Sequence, residues 1–157
     1  MRFFLIFLTF FSSIILVHAE EYNSTKWVYN VDIDDFSDEE KHFGVILSSD
    51  KKGFIGVSCF PNKQFETKIS TGSYIGDSAS GRAKYRVDKE KPVSTNFNSS
   101  DNFMYFNDID NTFIKDIMSG KEKVLVQLTD YDYDTSKKSY SLTNSTSTIQ
   151  KVIDACK

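Results

Sequence analysis

Residues 81–88, Gly-Arg-Ala-Lys-Tyr-Arg-Val-Asp, carry the clearest structural pattern in this chain. Ala83, Tyr85 and Val87 alternate with charged side chains at positions 82, 84, 86 and 88. Because successive side chains of a strand point to opposite faces, this alternation predicts a strand with one buried and one hydrated face.

Similar short segments lie on both sides of this stretch, separated by polar turns. They are residues 27–31, 43–48, 53–60, 63–70, 123–128 and 138–142. A loop rich in glycine and serine is expected at 72–81. About seven short strands of this kind predict a mainly β fold, either an antiparallel sandwich or a partly closed barrel.

Two segments have helical spacing instead. Residues 147–156 place one apolar stripe on a C-terminal helix, formed by Ile149, Val152, Ile153 and Cys156. Ser147 and Gln150 have the spacing of a capping box at its start. A short mid-chain helix is predicted at 110–120, with Asp110 as its cap and Gly120 as its stop. Both stripes are expected to join the core.

The N-terminus resembles an export signal. Arg2 precedes an apolar run over residues 3–17, and small residues follow at the positions that a signal peptidase reads, which predicts cleavage after Ala19. The run is short for a membrane span, which needs about 20 residues. We therefore expect a signal peptide at 1–19 and a single secreted β-rich domain at 20–157, soluble in the periplasm or outside the cell, without a membrane span.

The two cysteines agree with export. Cys59 lies in an apolar segment and Cys156 is the penultimate residue. An even number of cysteines in an oxidising compartment is usually paired, so we predict a Cys59–Cys156 disulfide that ties down the C-terminal helix.

Three N-glycosylation spellings also occur and would matter only in a eukaryotic host; they begin at Asn23, Asn98 and Asn144.

Charge composition excludes one class of partner. The chain has 19 Lys and Arg against 22 Asp and Glu, a net charge of −3, and loses only Arg2 from this balance on cleavage. No basic stripe is evident along the sequence, so nucleic acid is not expected as a partner.

Catalytic candidates are few. His42 is the only histidine of the mature chain and is flanked by carboxylates, which excludes a zinc site of several imidazoles and favours a surface role over a catalytic one. A carboxylate-dependent hydrolase would need two acidic groups about 5–9 Å apart. The acidic groups available for such a pair are Asp32, Asp34, Asp35, Asp108 and Asp110.

A second acidic segment resembles half of a calcium loop. Asp130, Asp132 and Asp134 have the alternate spacing of an EF-hand, but Thr135 replaces the turn glycine and Ser141 the bidentate glutamate. This segment is a weak Ca²⁺ candidate, and the alternative is a solvated loop or edge strand. No resident cofactor is predicted.

The order of landmarks resembles that of the VasI-like family of small bacterial periplasmic proteins, some of them associated with type VI secretion. The landmarks are Trp27, residues 56–59, residues 85–88, Phe113-Ile114, residues 124–126 and residues 153–156. Three positions differ from the family pattern: no Trp stands near Ser99, Gln127 replaces an Arg, and Asn144 replaces a Gly. The resemblance implies an envelope accessory protein without assigned catalysis.

Three functions remain open at this stage. The first is a non-enzymatic binding or accessory protein of the cell envelope, with another envelope protein as its partner and a secretion system as one setting. The second is an inhibitor or immunity protein acting on an envelope hydrolase, and the third is a carboxylate-dependent hydrolase. Arg86 either pairs with Asp88 on the strand surface or anchors a partner, since Arg is frequent at interface hot spots. Asp88, Tyr131 and Tyr133 are further candidates for a binding face.

Overall fold

The computed structural model describes residues 22, 24–130 and 132–157, with the backbone alone for residues 78–80. Within these ranges the chain forms nine strands and two helices. Their order is β1 (Val28–Ile33), β2 (Glu40–Leu47), β3 (Phe54–Cys59), β4 (Phe65–Ser70), β5 (Ser78–Val87), β6 (Val93–Ser100), β7 (Phe103–Phe106), α1 (Thr112–Ser119), β8 (Lys123–Thr129), β9 (Thr135–Ser141) and α2 (Ser145–Ala155). The expected signal peptide at 1–19 lies outside the described residues.

These strands form one antiparallel sheet with the order β1-β2-β3-β4-β7-β6-β5-β8-β9. Its two ends approach each other: the Trp27 backbone N–H donates to the Thr143 carbonyl at 2.9 Å, and the Trp27 indole N–H donates to the Ser141 carbonyl at 3.0 Å. The Ser49 N–H likewise donates to the Ser139 carbonyl at 2.9 Å. The predicted mainly β, antiparallel fold is confirmed, and these contacts give it the form of a partly closed barrel.

Two strands, β6 and β7, were missed by the sequence patterns. β6 is a polar segment in which Phe97 and Ser99 are the buried side chains, and β7 has only four residues. They lie in the middle of the sheet, between β4 and β5, and place Met104 and Phe106 in the core. β5 also begins earlier than expected, at Ser78, inside the predicted loop. Phe97 is the only buried apolar residue of β6, and β7 consists of four apolar or aromatic residues, so neither shows the apolar–polar alternation that predicts a strand.

The mid-chain helix is confirmed, but its cap is Asn111 rather than Asp110. The Asn111 side chain accepts a hydrogen bond from the Phe113 N–H at 2.9 Å. Gly120 ends the helix as predicted, for a different reason. Its φ is −70°, so no left-handed residue is needed, but a Cβ there would lie 2.3 Å from Leu142 Cδ1 and 2.5 Å from Val87 Cγ1. Close packing therefore requires the glycine.

The C-terminal helix starts at Ser145, earlier than the capping box at Ser147 and Gln150 predicted. That capping box is wrong, because the Ser147 hydroxyl donates to the Asn144 carbonyl and the Gln150 amide to Asp154. The buried Ser145 hydroxyl instead donates to the Ile117 carbonyl at 2.9 Å. This hydrogen bond gives one of the last carbonyl groups of α1 a partner and joins the two helices. Neither helix of the described ranges is long and apolar enough to cross a membrane.

Both helices cover one face of the sheet, which we call the inner face. Ile149 and Val152 of α2 are fully buried, and Ile153 and Cys156 pack at the edge of the core. The predicted disulfide is confirmed: Cys59 on β3 is bonded to Cys156, with their Cα atoms 5.5 Å apart. It holds the end of α2 against the sheet.

Candidate partner-binding face

Asp88 does not pair with Arg86 in the way that the sequence allowed. Its carboxylate accepts hydrogen bonds from three successive backbone N–H groups, those of Lys121 at 2.8 Å and of Glu122 and Lys123 at 2.9 Å. These bonds, with the N–H of Lys123 foremost, lower the pKa of Asp88 below its usual value. Asp88 also has a φ of 47°, in the left-handed region that Asp tolerates. Its role in this geometry is to hold the turn that leads into β8.

Replacing Asp88 with alanine is expected to destabilise the protein by about 1–2 kcal/mol, because three amides lose a charged acceptor at a largely solvated site. The pKa of Asp88 is lower in the folded state than in the unfolded state. Ionised Asp88 therefore stabilises the fold fully at pH values above its unfolded-state pKa, near 4, and this stabilisation is lost as the pH falls through its folded-state pKa. Urea denaturation at neutral and acidic pH measures both effects. Asp88→Asn is the control, since it keeps one acceptor oxygen and tolerates the same φ. An alanine variant with an unchanged unfolding midpoint would contradict this role.

Arg86 lies on the outer face of the sheet, among other cations. On β5 the inward side chains are Ala83, Tyr85 and Val87, so the residues between them point outward, as the alternation at 81–88 predicted. Cross-strand pairing sets Lys84 beside Gln127 of β8, and Gln127 beside Lys137 of β9. The resulting cationic face is defined by five exposed residues: Arg82, Lys84, Arg86, Lys123 and Lys137.

No carboxylate stands among the described outward side chains of β5, β8 and β9. The neutral outward positions on β8 are Leu125, Gln127 and Thr129, and the adjacent strand β6 adds Ser94 and Asn96 opposite β5. Five positive charges therefore share one sheet surface in a chain whose net charge is −3. Such an arrangement produces a local positive potential that the overall charge does not reveal.

A shallow groove of about 250 Å³ crosses this face. Leu125 and Pro92 contribute its apolar surface, and Lys84, Arg86 and Lys137 stand around it. Long basic side chains present aliphatic stems to such a surface while their charged ends remain in water. The groove thus combines an apolar centre with a cationic rim, which suits a partner with an apolar side chain flanked by carboxylates.

Tyr133 extends the cationic face at the β8–β9 turn. Its side chain is 71% exposed, and the Arg82 guanidinium lies 4.3 Å from the centre of its ring, which is a cation–π contact. Tyr131, the other aromatic candidate, falls outside the described residues.

The Asp130 carboxylate stabilises the backbone of this turn. Asp130 Oδ1 accepts a hydrogen bond from the Asp134 N–H at 2.8 Å, and the Asp130 N–H donates to the Asp134 carbonyl. The turn does not gather Asp130, Asp132 and Asp134 around a common point. In the described ranges, no group of three or more His, Cys, Asp or Glu side chains is placed to hold a metal ion.

His42 bridges two neighbours on the β1–β2 pair. Its Nδ1 lies 2.7 Å from the Tyr29 hydroxyl and its Nε2 lies 3.2 Å from Glu40. Burial, and then the charge of Glu40, raises the pKa of Tyr29, so this tyrosine is not activated as a nucleophile. With one-fifth of its side chain exposed, His42 is less accessible than the surface imidazole that the sequence predicted.

The five acidic residues of the hydrolase hypothesis are all exposed and divide between two segments. Asp32, Asp34 and Asp35 belong to the β1–β2 hairpin, and Asp108 and Asp110 precede α1. Asp34 accepts hydrogen bonds from the N–H groups of Phe36 and Ser37, which lower its pKa. A catalytic acid of a glycosidase needs the opposite shift, produced by burial in apolar surroundings.

Among the glycosylation spellings, Asn98 lies exposed on β6 and Asn144 exposed before α2, whereas Asn23 is outside the described residues.

The cationic face is the feature that sequence reasoning missed. Arg82, Lys84 and Arg86 alternate visibly, but Lys123 and Lys137 join them only because β8 lies beside β5.

No family model, no curated protein and no solved structure matches the chain.

Proposed function

We propose that this chain is an exported, non-enzymatic binding protein of the cell envelope, and that its cationic face binds an acidic surface of another envelope protein. The observation that carries the proposal is the set of five exposed Lys and Arg side chains on one sheet surface, without an interspersed carboxylate, three of which line a groove with apolar surface. Arg86 stands at the groove and is the expected anchor, as Arg often is at protein interfaces.

A protein partner fits this face better than a nucleic acid does. The groove offers apolar surface at its centre, and protein interfaces combine such a centre with a polar rim. A long polyanion would also meet the acidic remainder of the chain, whose net charge is negative. A compact acidic patch on a folded partner needs only the local positive potential.

Export is supported by the leader-like sequence of residues 1–19 and by the disulfide, since a bridge of this kind persists in oxidising compartments. The resemblance to VasI-like proteins suggests the periplasm, and a secretion system as one setting for the partner.

Arg86→Glu is expected to weaken partner binding by at least about tenfold, because it places a negative charge against the partner's acidic surface. The measurement is retention of envelope proteins on immobilised wild-type and variant chains at low and physiological salt. Lys52→Glu is the matched control: it makes the same charge change at an exposed turn outside the cationic face.

Retention of an acidic envelope protein by the wild type and the control, but not by Arg86→Glu, is the expected result. The bound fraction should fall as salt screens the charges. Equal retention by both variants would contradict the proposed face, and preferential retention of nucleic acid would contradict the proposed class of partner.

A further inference from the structure

The tip of the β1–β2 hairpin, residues 34–39, has the chemistry that the groove on the cationic face requires. Its sequence, Asp-Asp-Phe-Ser-Asp-Glu, contains four carboxylates, one aromatic residue and no cation. The Phe36 side chain is 100% exposed, more than any other large hydrophobic side chain of the described residues. Phe36 therefore presents a whole phenyl ring, flanked by carboxylates, to any partner.

Hydrogen bonds within the tip stabilise its turn. Asp34 Oδ1 accepts hydrogen bonds from the Phe36 N–H at 2.9 Å, the Ser37 N–H at 2.8 Å and the Ser37 hydroxyl at 3.0 Å. The Asp34 N–H donates to the Glu39 carbonyl, and the Asp38 N–H to the Asp34 carbonyl. These bonds reduce the backbone entropy that the tip loses when it enters a binding site.

We propose that the acidic tip of one copy of this chain docks in the groove of a second copy, with Phe36 on Leu125 and Pro92 and the tip carboxylates facing Lys84, Arg86 and Lys137. The groove, at about 250 Å³, has room for one aromatic side chain. Because Phe36 is fully exposed, it does not occupy the groove of its own chain, and the contact forms between copies.

This contact is heterologous, since the tip and the groove are different surfaces. Each docked copy keeps one free tip or one free groove, so association continues head to tail into open chains or closed rings. A hairpin tip in a groove buries less than a standard interface, and we expect a dissociation constant on the order of 10–100 µM. The inference rests on the cationic face of the proposed function, but it does not require the envelope partner to exist.

Complementation between two variants tests the inference. Phe36→Ser removes the phenyl ring of the tip and leaves the groove intact. Arg86→Glu reverses a charge at the groove and leaves the tip intact. Each variant alone should associate at least about tenfold more weakly than the wild type. Mixed together, the two should form a one-to-one dimer that grows no further, because the only active tip fills the only active groove.

Sedimentation velocity of the purified proteins, over about two decades of concentration around the expected constant, measures these masses. Tyr22→Ser is the matched control, since Tyr22 is an exposed aromatic residue outside the tip and the groove, and it should associate as the wild type does. Raised salt should reduce the mass of the wild-type species.

A wild-type protein that stays monomeric throughout, or a variant mixture that stays monomeric, would overturn the inference. Neither result affects the proposed function, which fails separately if Arg86→Glu leaves envelope binding unchanged. Phe36→Ser distinguishes the two most directly, because it should abolish self-association while envelope binding persists.

Discussion

Replacing Phe113 with alanine is expected to destabilise the fold by about 3–5 kcal/mol, the usual cost of removing a fully buried phenyl ring. Phe113 is 1% exposed and lies on α1, the helix that covers the inner face of β5, β6 and β7. Its ring meets Tyr85 edge to face, with the centres 4.9 Å apart, and contacts Phe97 and Phe106 at 6.1 and 6.2 Å. The variant leaves a cavity among three aromatic rings that cannot all move to fill it.

The measurement is the free energy of unfolding from urea titration of the wild type and the variant. Phe36→Ala is the control, since the same side chain is removed from a fully exposed position and the expected change is within about 0.5 kcal/mol. A loss below about 1 kcal/mol for Phe113→Ala would mean that α1 is not packed as described. The hydrogen bond from the Tyr85 hydroxyl to Asp116, at 2.7 Å, is a second link between α1 and β5 that the substitution leaves in place.

Removing the disulfide is expected to cost about 2–5 kcal/mol. Cys59 and Cys156 are 97 residues apart, so the bridge restricts a long loop of the unfolded chain, and a loop of about 100 residues has an upper limit near 4.7 kcal/mol in the chain-entropy model. The double variant Cys59→Ala with Cys156→Ala avoids a free buried thiol. In the folded state, the loss should appear first at the end of α2, where Lys63 Nζ still donates to the Ala155 carbonyl at 2.8 Å.

Thermal unfolding with and without reductant provides the measurement. Reduction should lower the midpoint of the wild type toward that of the double variant, and should leave the double variant unchanged. Mass spectrometry after alkylation verifies that both thiols were reduced. An unchanged wild-type midpoint in fully reduced protein would contradict a stabilising role for the bridge.

Most of the fold follows from short-range patterns in the sequence. The alternation at 81–88 predicts β5 and its buried face, and the stripe through Ile149 and Val152 predicts α2. Those patterns work because burial on one face imposes a period of two on strands and of about 3.6 on helices. β6 and β7 were not predicted because Phe97 is the only buried apolar residue of β6, and β7 is a run of four apolar or aromatic residues, so neither shows a period of two.

Cap positions were less predictable than the helices they end. Asp110 and Ser147 are good cap residues, but Asn111 caps α1, and α2 begins with the hydroxyl of Ser145 on the carbonyl of Ile117. The second contact joins residues that are far apart in the sequence, so no local spelling could indicate it. The sequence correctly predicted that α1 ends at Gly120. The reason that a glycine stands there, close contact with Leu142 and Val87, depends on tertiary packing.

The sequence by itself determined the strand and helix patterns, the expectation of export and the pairing of two cysteines, because each rests on residue type and local spacing. Only the tertiary structure decided that five cations share one face: Arg82, Lys84, Arg86, Lys123 and Lys137. It also decided that the Asp88 carboxylate accepts hydrogen bonds from the backbone of the turn before β8. The physical reason is that hydrogen bonding between β5, β8 and β9 brings distant segments side by side, and the charge of a surface depends on that pairing rather than on composition.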